Sequence, residues 1–280
     1  MIAKANLPAS VRARLLNLAK QRGDEFQQVL TRFALERFLY RLSISPHADR
    51  FVLKGALLFD LWFDMPHRPT RDADFLGFGT SDLDELAEVF RGIASISVED
   101  GIEFDAHSVR SQEIRKDAGY MGVRVTLLGS LDKARCPTQF DIGFGDAVTP
   151  APLESDFPVL LENLPAPRLR VYPRETSIAE KYEALVKLGI ANSRMKDYFD
   201  LWVLLRDGDV DSETLGEAIR NTFERRGTSL PALTPFGLTD DFAADATKQT
   251  QWRAFLVKNK LAAPELTEIV ATLRGVLPMF

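Results

Sequence analysis

The sequence predicts an α+β fold, with a mixed sheet in its first half and helices in its second, and three observations carry that prediction. Residues 71–78 alternate polar and apolar side chains, residues 51–53 form a short apolar run, and residues 139–144 are strand-like, all readings of strands. Helical periodicity opens the chain and returns between the strands, whereas from Ser177 onward helical spacing dominates. Six prolines between residues 147 and 173 separate the two regimes. The expected domains are therefore residues 1–165, helices plus sheet core, and residues 166–280, a helical C-terminal domain.

The elements follow in order. After Pro8 and Ser10, Val11, Leu15, Leu18 and Ala19 recur at helical spacing until Gly23 stops them. Asp24 and Gln27 have capping-box spacing, and the stripe Phe26, Val29, Leu30, Phe33, Phe38 runs on to Pro46. Residues 51–53 read as a strand, Lys54-Gly55 as a turn, and residues 56–63 as a helix ended by Pro66 and Pro69. Asp82 caps a helix through Leu86, Val89 and Phe90, and strands are expected at 102–109, 122–128 and 139–144. Ser177 and Glu180 have the spacing of a second capping box before Tyr182, Leu185 and Val186, with Gly189 as the stop. Further helices are expected over 195–206, over 212–226 and after Pro264.

Composition removes several function classes. With one cysteine, Cys136, the chain of 280 residues supports neither an internal disulfide nor a cysteine-based zinc cluster. No apolar run approaches the ~18 residues of a membrane span and no signal-peptide core follows the first residues, so the expected location is the cytoplasm, away from any membrane. There is no P-loop, no third glycine to complete a dinucleotide fingerprint, no Gly-x-Ser-x-Gly elbow, and His47, His67 and His107 are isolated. Net charge is -5, yet residues 1–50 hold nine Lys/Arg against four acids. Such a local excess is ordinarily a solvated helix face; beside an active site it can bear an RNA backbone.

The chemistry concentrates in Asp72-Ala73-Asp74. On a strand, residues i and i+2 share a face about 6.5–7 Å apart, so two carboxylates aim into one space and repel unless a cation neutralises them. Hard oxygen ligands of this kind suit Mg²⁺, which shares its shell with substrate phosphates. The Lys54-Gly55 turn places backbone N–H groups at a helix start, where phosphate is favoured. Asp141, on a later strand, is a candidate general base or third metal ligand. In the second half Lys181, Arg194 and Lys196 accompany Asp197 and Asp200. These read either as surface ion pairs or as cations for phosphate oriented by the two acids.

Together these blocks resemble one family. Phe51-Val52-Leu53-Lys54-Gly55, Arg68-x-Thr70-Arg71-Asp72-Ala73-Asp74, Phe140-Asp141-Ile142-Gly143-Phe144-Gly145-Asp146, and Ala179-Glu180-Lys181 with Arg194-x-Lys196-Asp197-Tyr198-x-Asp200 are similar to the AbiEii toxin nucleotidyltransferases of abortive-infection and toxin–antitoxin systems. The resemblance implies a DNA polymerase β-like nucleotidyltransferase core followed by a helical domain. It implies Mg²⁺ on Asp72 and Asp74, catalysis by these with Asp141 and Lys181, and an NTP substrate bound through Lys54, Gly55, Arg71, Arg194, Lys196, Asp197 and Asp200. It further implies a cognate antitoxin and an RNA acceptor, with a tRNA 3′ end as the specific case. One position departs: the family's turn carries a second Gly or a Ser where this chain has Ala56, so a hydroxyl contact to phosphate is missing. A non-catalytic nucleotide-binding or protein-interaction module of the same fold, and a metal-dependent nuclease, stay open as alternatives.

Overall fold

A computed structural model describes residues 6–63, 68–116, 120–207 and 209–280. Lys4, Pro66 and His67, which entered the sequence reading, lie outside the described residues. The chain forms two compact units, Met1–Gly145 with Leu153–Val171, and Asp146–Pro152 with Tyr172–Phe280. The change of unit thus falls at Val171/Tyr172, six residues after the 165/166 division, because residues 168–171 pair into the sheet.

The first unit opens with α1 (Leu7–Arg22), where Asn6 accepts a hydrogen bond from the Ala9 N–H at 3.2 Å and Gly23 ends the helix. Next comes α2 (Phe26–Ser43), whose first cap is Glu25 without a side-chain bond. The expected Asp24–Gln27 capping box therefore does not form: Asp24 lies one residue outside the cap, which puts Gln27 at the wrong turn position. Then follow β1 (Phe51–Lys54), a 3₁₀ turn (Gly55–Leu58) continued by α3 (Phe59–Trp62), β2 (Asp72–Gly77) and α4 (Leu83–Ala94). As expected, Asp82 caps α4, accepting from the Glu85 N–H at 2.9 Å. Three long strands, β3 (Ile102–Lys116), β4 (Tyr120–Leu131) and β5 (Ala134–Phe144), precede two short ones, β6 (Leu153–Asp156) and β7 (Arg168–Val171).

The seven strands form one mixed sheet in the order β3-β4-β5-β2-β1-β7-β6. The pairs β2/β5 and β1/β7 are parallel, while β1/β2, β3/β4, β4/β5 and β6/β7 are antiparallel. Cross-strand neighbours share a face, so Phe51, Phe75 and Phe140 point one way, where they meet Phe38 of α2 and Phe90 of α4. Phe140 lies 4.4 Å from Phe38 and 5.3 Å from Phe90 between ring centroids, and Phe51 lies 5.8 Å from Phe90. This aromatic cluster is the apolar support of the sheet, and it leaves the opposite face to the polar residues that alternate with it.

The basic N-terminus is partly interior. Arg37 and Arg41 are 0 and 2% exposed. Arg41 holds buried Asp100 through Nη1 at 2.7 Å and Nη2 at 3.1 Å, and Arg37 reaches the same carboxylate at 3.1 Å and Glu36 at 3.1 Å. Arg37 also donates to the Pro165 carbonyl, and Leu160 N–H to Glu36 at 2.7 Å, so the network ties α2 to two distant loops. Burial raises the Glu36 pKa against these partners. Two cations of the local positive excess, Arg37 and Arg41, are therefore consumed inside the fold and contribute nothing to a basic surface.

The second unit is helical, with α5 (Arg174–Leu188), α6 (Met195–Asp207), α7 (Ser212–Arg226), α8 (Asp240–Ala244), α9 (Ala246–Asn259) and α10 (Leu266–Val276). Because α5 starts at Arg174 after Pro173, Ser177 sits inside the helix and the second expected capping box is absent. Glu180 instead accepts from the Tyr172 hydroxyl at 3.2 Å and pairs with Arg226 at 3.1 Å. Among the described residues no helix is long and apolar enough to cross a membrane.

Candidate active site

The polar face of the first unit carries a row of charge set by strand register. Lys54 on β1 is opposite Asp74 on β2, Asp74 is beside Asp141 on β5, and Asp141 is opposite Arg124 on β4. Neighbouring strands are about 4.8 Å apart, so the carboxylates of Asp74 and Asp141 stand side by side. Asp72 lies two residues along β2 on the same face, beside Gln139. Three aspartates thus share the face opposite the phenylalanine cluster, with Lys54 at one end of the row and Arg124 toward the other.

Each acid has a distinct environment. Asp72 is half-buried and its Oδ1 accepts from the Thr70 hydroxyl at 2.6 Å. Asp74 is half-buried against Gly55, whose φ of 79° favours glycine and where an added Cβ would come within 2.9 Å of the Asp74 Cβ. The turn and the acid are consequently packed as one unit. Asp141 is buried, and both its oxygens are held by Arg124, Nε to Oδ1 at 2.8 Å and Nη2 to Oδ2 at 2.8 Å. The Gln139 carboxamide oxygen accepts from the same guanidinium at 3.2 Å. The Arg124 pKa is raised first by its hydrogen bond to Asp141 and, against burial, by the charges of Asp141, Asp72 and Asp74. One guanidinium therefore feels all three acids.

The donor set suits magnesium to a limited extent. Among the described residues no three His, Cys, Asp or Glu are grouped so as to hold a metal ion. Mg²⁺ takes one or two carboxylates and completes its shell with water and substrate phosphates, and the same-face pair Asp72 and Asp74 fits that mode. Asp141, expected as base or third ligand, has one Arg124 bond on each oxygen, which leaves a lone pair on each for either role. Arg71 stands apart: it alternates with Asp72 and Asp74, is exposed, and lines a separate cavity against the start of α2.

In the second unit Asp197 and Asp200 of α6 are fully buried, and Lys181 of α5 bridges them, at 2.6 Å to Asp200 and 3.3 Å to Asp197. Arg194 reaches the other Asp197 oxygen at 2.6 Å. The expected Lys196–Asp200 pair is not the one made: Asp200 turns inward to Lys181 and Lys196 is exposed. Tyr198, between the acids, donates to the Gly237 carbonyl at 2.9 Å, and burial followed by the Asp197 charge pushes its phenol pKa up. A second knot joins Arg226 of α7 to Asp146, Glu180 and Glu183, each at 3.1 Å. Sequence reading missed both arginines, Arg124 and Arg226. The visible signal for Arg124 was a lone cation between Val123 and Val125 in an expected strand; for Arg226, its place in the last turn of a helix before Gly227, there was none.

Comparison with known proteins bears on this arrangement. The family model described as the nucleotidyl transferase AbiEii toxin of type IV toxin–antitoxin systems matches residues 37–272. No curated protein matches the chain. Two solved structures from Helicobacter pylori align with it at 17% identity and a TM-score of 0.45. One is a candidate nucleotidyltransferase, covering 86% of this chain and 88% of its own. The other is JHP933, with 86% of each chain covered.

Proposed function

This chain belongs to the AbiEii nucleotidyltransferase toxin family of type IV toxin–antitoxin systems, and from that premise we propose that it transfers a nucleoside monophosphate from an NTP to a hydroxyl of RNA, a tRNA 3′ end being the specific case. The observation that carries the reading is the side-by-side register of Asp74 and Asp141, with Asp72 on the same face and Gly55 packed against Asp74. The family implies an antitoxin partner. An NTP donor and an RNA acceptor would place the reaction in the cytoplasm.

In this reading Asp72 and Asp74 hold magnesium. When bound, the ion supplies positive charge to the triphosphate as charge builds on the leaving group. The acceptor hydroxyl oxygen forms a bond to the α-phosphorus, the bond to the α–β bridging oxygen breaks, and pyrophosphate leaves with that electron pair. The hydroxyl proton passes to the lone pair of an Asp141 oxygen that Arg124 leaves open. Thr70 fixes the orientation of Asp72, and Gly55 keeps the phosphate turn close to Asp74.

Incubation with each labelled NTP, Mg²⁺ and total cellular RNA tests the proposal. Label on lengthened RNA, lost in Asp72→Asn, is the expected result. NTP binding without transfer supports the non-catalytic module, and shortened RNA supports a nuclease; transfer by Asp72→Asn at the parental rate overturns the assignment.

A further inference from the structure

A cavity of about 530 Å³ opens in the first unit between the start of α2 and strands β3 to β5. It lies where β5 runs on beyond the first residue of β2, so it borders the acidic row without belonging to it. Gln139 is common to both, lining the cavity while its side-chain oxygen touches Arg124, and Asp72 is its strand neighbour. We propose that this cavity receives the terminal nucleoside of the RNA acceptor, an inference that rests on the transferase reading above.

Three arguments point there. The volume falls within the range of about 300–1,000 Å³ of small-ligand sites, enough for one nucleoside and more than a serine or threonine of a protein acceptor would fill. The walls offer amides and hydroxyls, among them Gln28, Gln139, Thr31 and Thr126, which are the groups that pair with base edges and ribose. Charge is balanced, with Glu25 against Arg71. A triphosphate would be poorly held by so neutral a wall, whereas a neutral nucleoside followed by one phosphodiester matches a single exposed guanidinium.

Geometry agrees with charge. In-line displacement needs the acceptor on the far side of the α-phosphorus from the leaving pyrophosphate. The Gly55 turn follows β1, on one flank of Asp72 and Asp74, and the cavity lies toward β5 and β4, on the other flank. Donor phosphates and acceptor nucleoside thereby take opposite sides of the same two carboxylates.

The test is binding, which needs no turnover. A fluorescein-labelled single-stranded RNA hexanucleotide is titrated with the full chain, its Thr126→Phe variant, which fills the cavity, and Gln28→Ala, which removes one amide from the half-buried helix start. Thermal melts confirm that each folds. Expected is a loss of RNA affinity of at least about tenfold for Thr126→Phe and a few-fold for Gln28→Ala, with affinity for each of the four NTPs in Mg²⁺ unchanged. Unchanged RNA affinity in both variants, or a loss of NTP affinity instead, overturns the proposal, as does label transferred to protein by a parent that binds no RNA. Cavity-dependent RNA binding without any transfer upholds the site and overturns the transferase reading instead.

Discussion

The two acidic clusters of this chain are built on opposite principles. In the second unit Asp197 and Asp200 face Lys181 and Arg194, two acids for two cations, and both carboxylates are fully buried. In the first unit Asp72, Asp74 and Asp141 share a strand face with Lys54 and Arg124, and Asp72 and Asp74 are only half-buried. A fully buried cluster whose acids meet their cations at 2.6–3.3 Å is held by its own fold; half-buried carboxylates set side by side repel unless a cation lies between them. The comparison teaches which carboxylates are available for chemistry.

Substituting one acid in each cluster should separate the roles. Asp74→Asn is expected to lower transfer by at least about a hundredfold through loss of a metal ligand, while its melting temperature holds or rises because a like charge is gone. Asp200→Ala should instead destabilise by about 3 kcal/mol, since it takes the shorter of two bonds from Lys181, which is 15% exposed. Urea unfolding and transfer rates on the same samples check both; equal loss of stability in the two would erase the distinction.

Gly55→Ala probes the join between turn and acid. A residue with a Cβ at a φ of 79° costs about 1–2 kcal/mol, and the added carbon must also push Asp74 aside. The expected outcome is a destabilisation of about 2–3 kcal/mol, strain and overpacking together, accompanied by loss of transfer. Transfer retained in a folded Gly55→Ala would show that Asp74 need not stay where the turn holds it.

Alkaline pH should loosen the units in turn. Burial pushes the Cys136 thiol, in the first unit, from 9.0 up to about 11, and the Tyr182 phenol, in the second, from 10.0 up to about 12. Both groups bind their proton more tightly folded than unfolded, so each contribution is complete below the unfolded value and lost as pH rises through the folded one. Each two-unit rise corresponds to at most about 2.7 kcal/mol, and less once solvent screening is discounted. Thiol-reagent labelling of Cys136 should therefore begin to accelerate above pH 9, about one unit before tyrosinate absorbance from the second unit rises, and in urea unfolding Cys136→Ala should remove only the stability lost between pH 9 and 11.

The clusters also mark what could be read without coordinates. Asp72, Asp74 and Asp141 were identifiable because each alternates with apolar residues at strand periodicity, and Asp82 started and Gly227 ended their helices where expected. The face the three acids share was not, since it depends on β2 and β5 being parallel neighbours in one register, a fact of topology rather than of local pattern. The strands 153–156 and 168–171 were hidden by their brevity and by the prolines around them. Arg37 and Arg41 looked like surface charge because the buried Asp100 that holds them is about sixty residues away in sequence.

Arg124 is where that gap matters most, and its replacement by lysine is the finest of these tests. Lysine keeps the positive charge that Asp72 and Asp74 share with Asp141, but a single ammonium cannot hold both Asp141 oxygens as the guanidinium does at 2.8 Å each. If Arg124 only neutralises the acid row, Arg124→Lys should transfer at the parental rate. If it also aims the Asp141 oxygen that takes the acceptor proton, kcat should fall by about tenfold with KM for NTP unchanged. We expect the second result, since a bidentate pair fixes direction as well as charge.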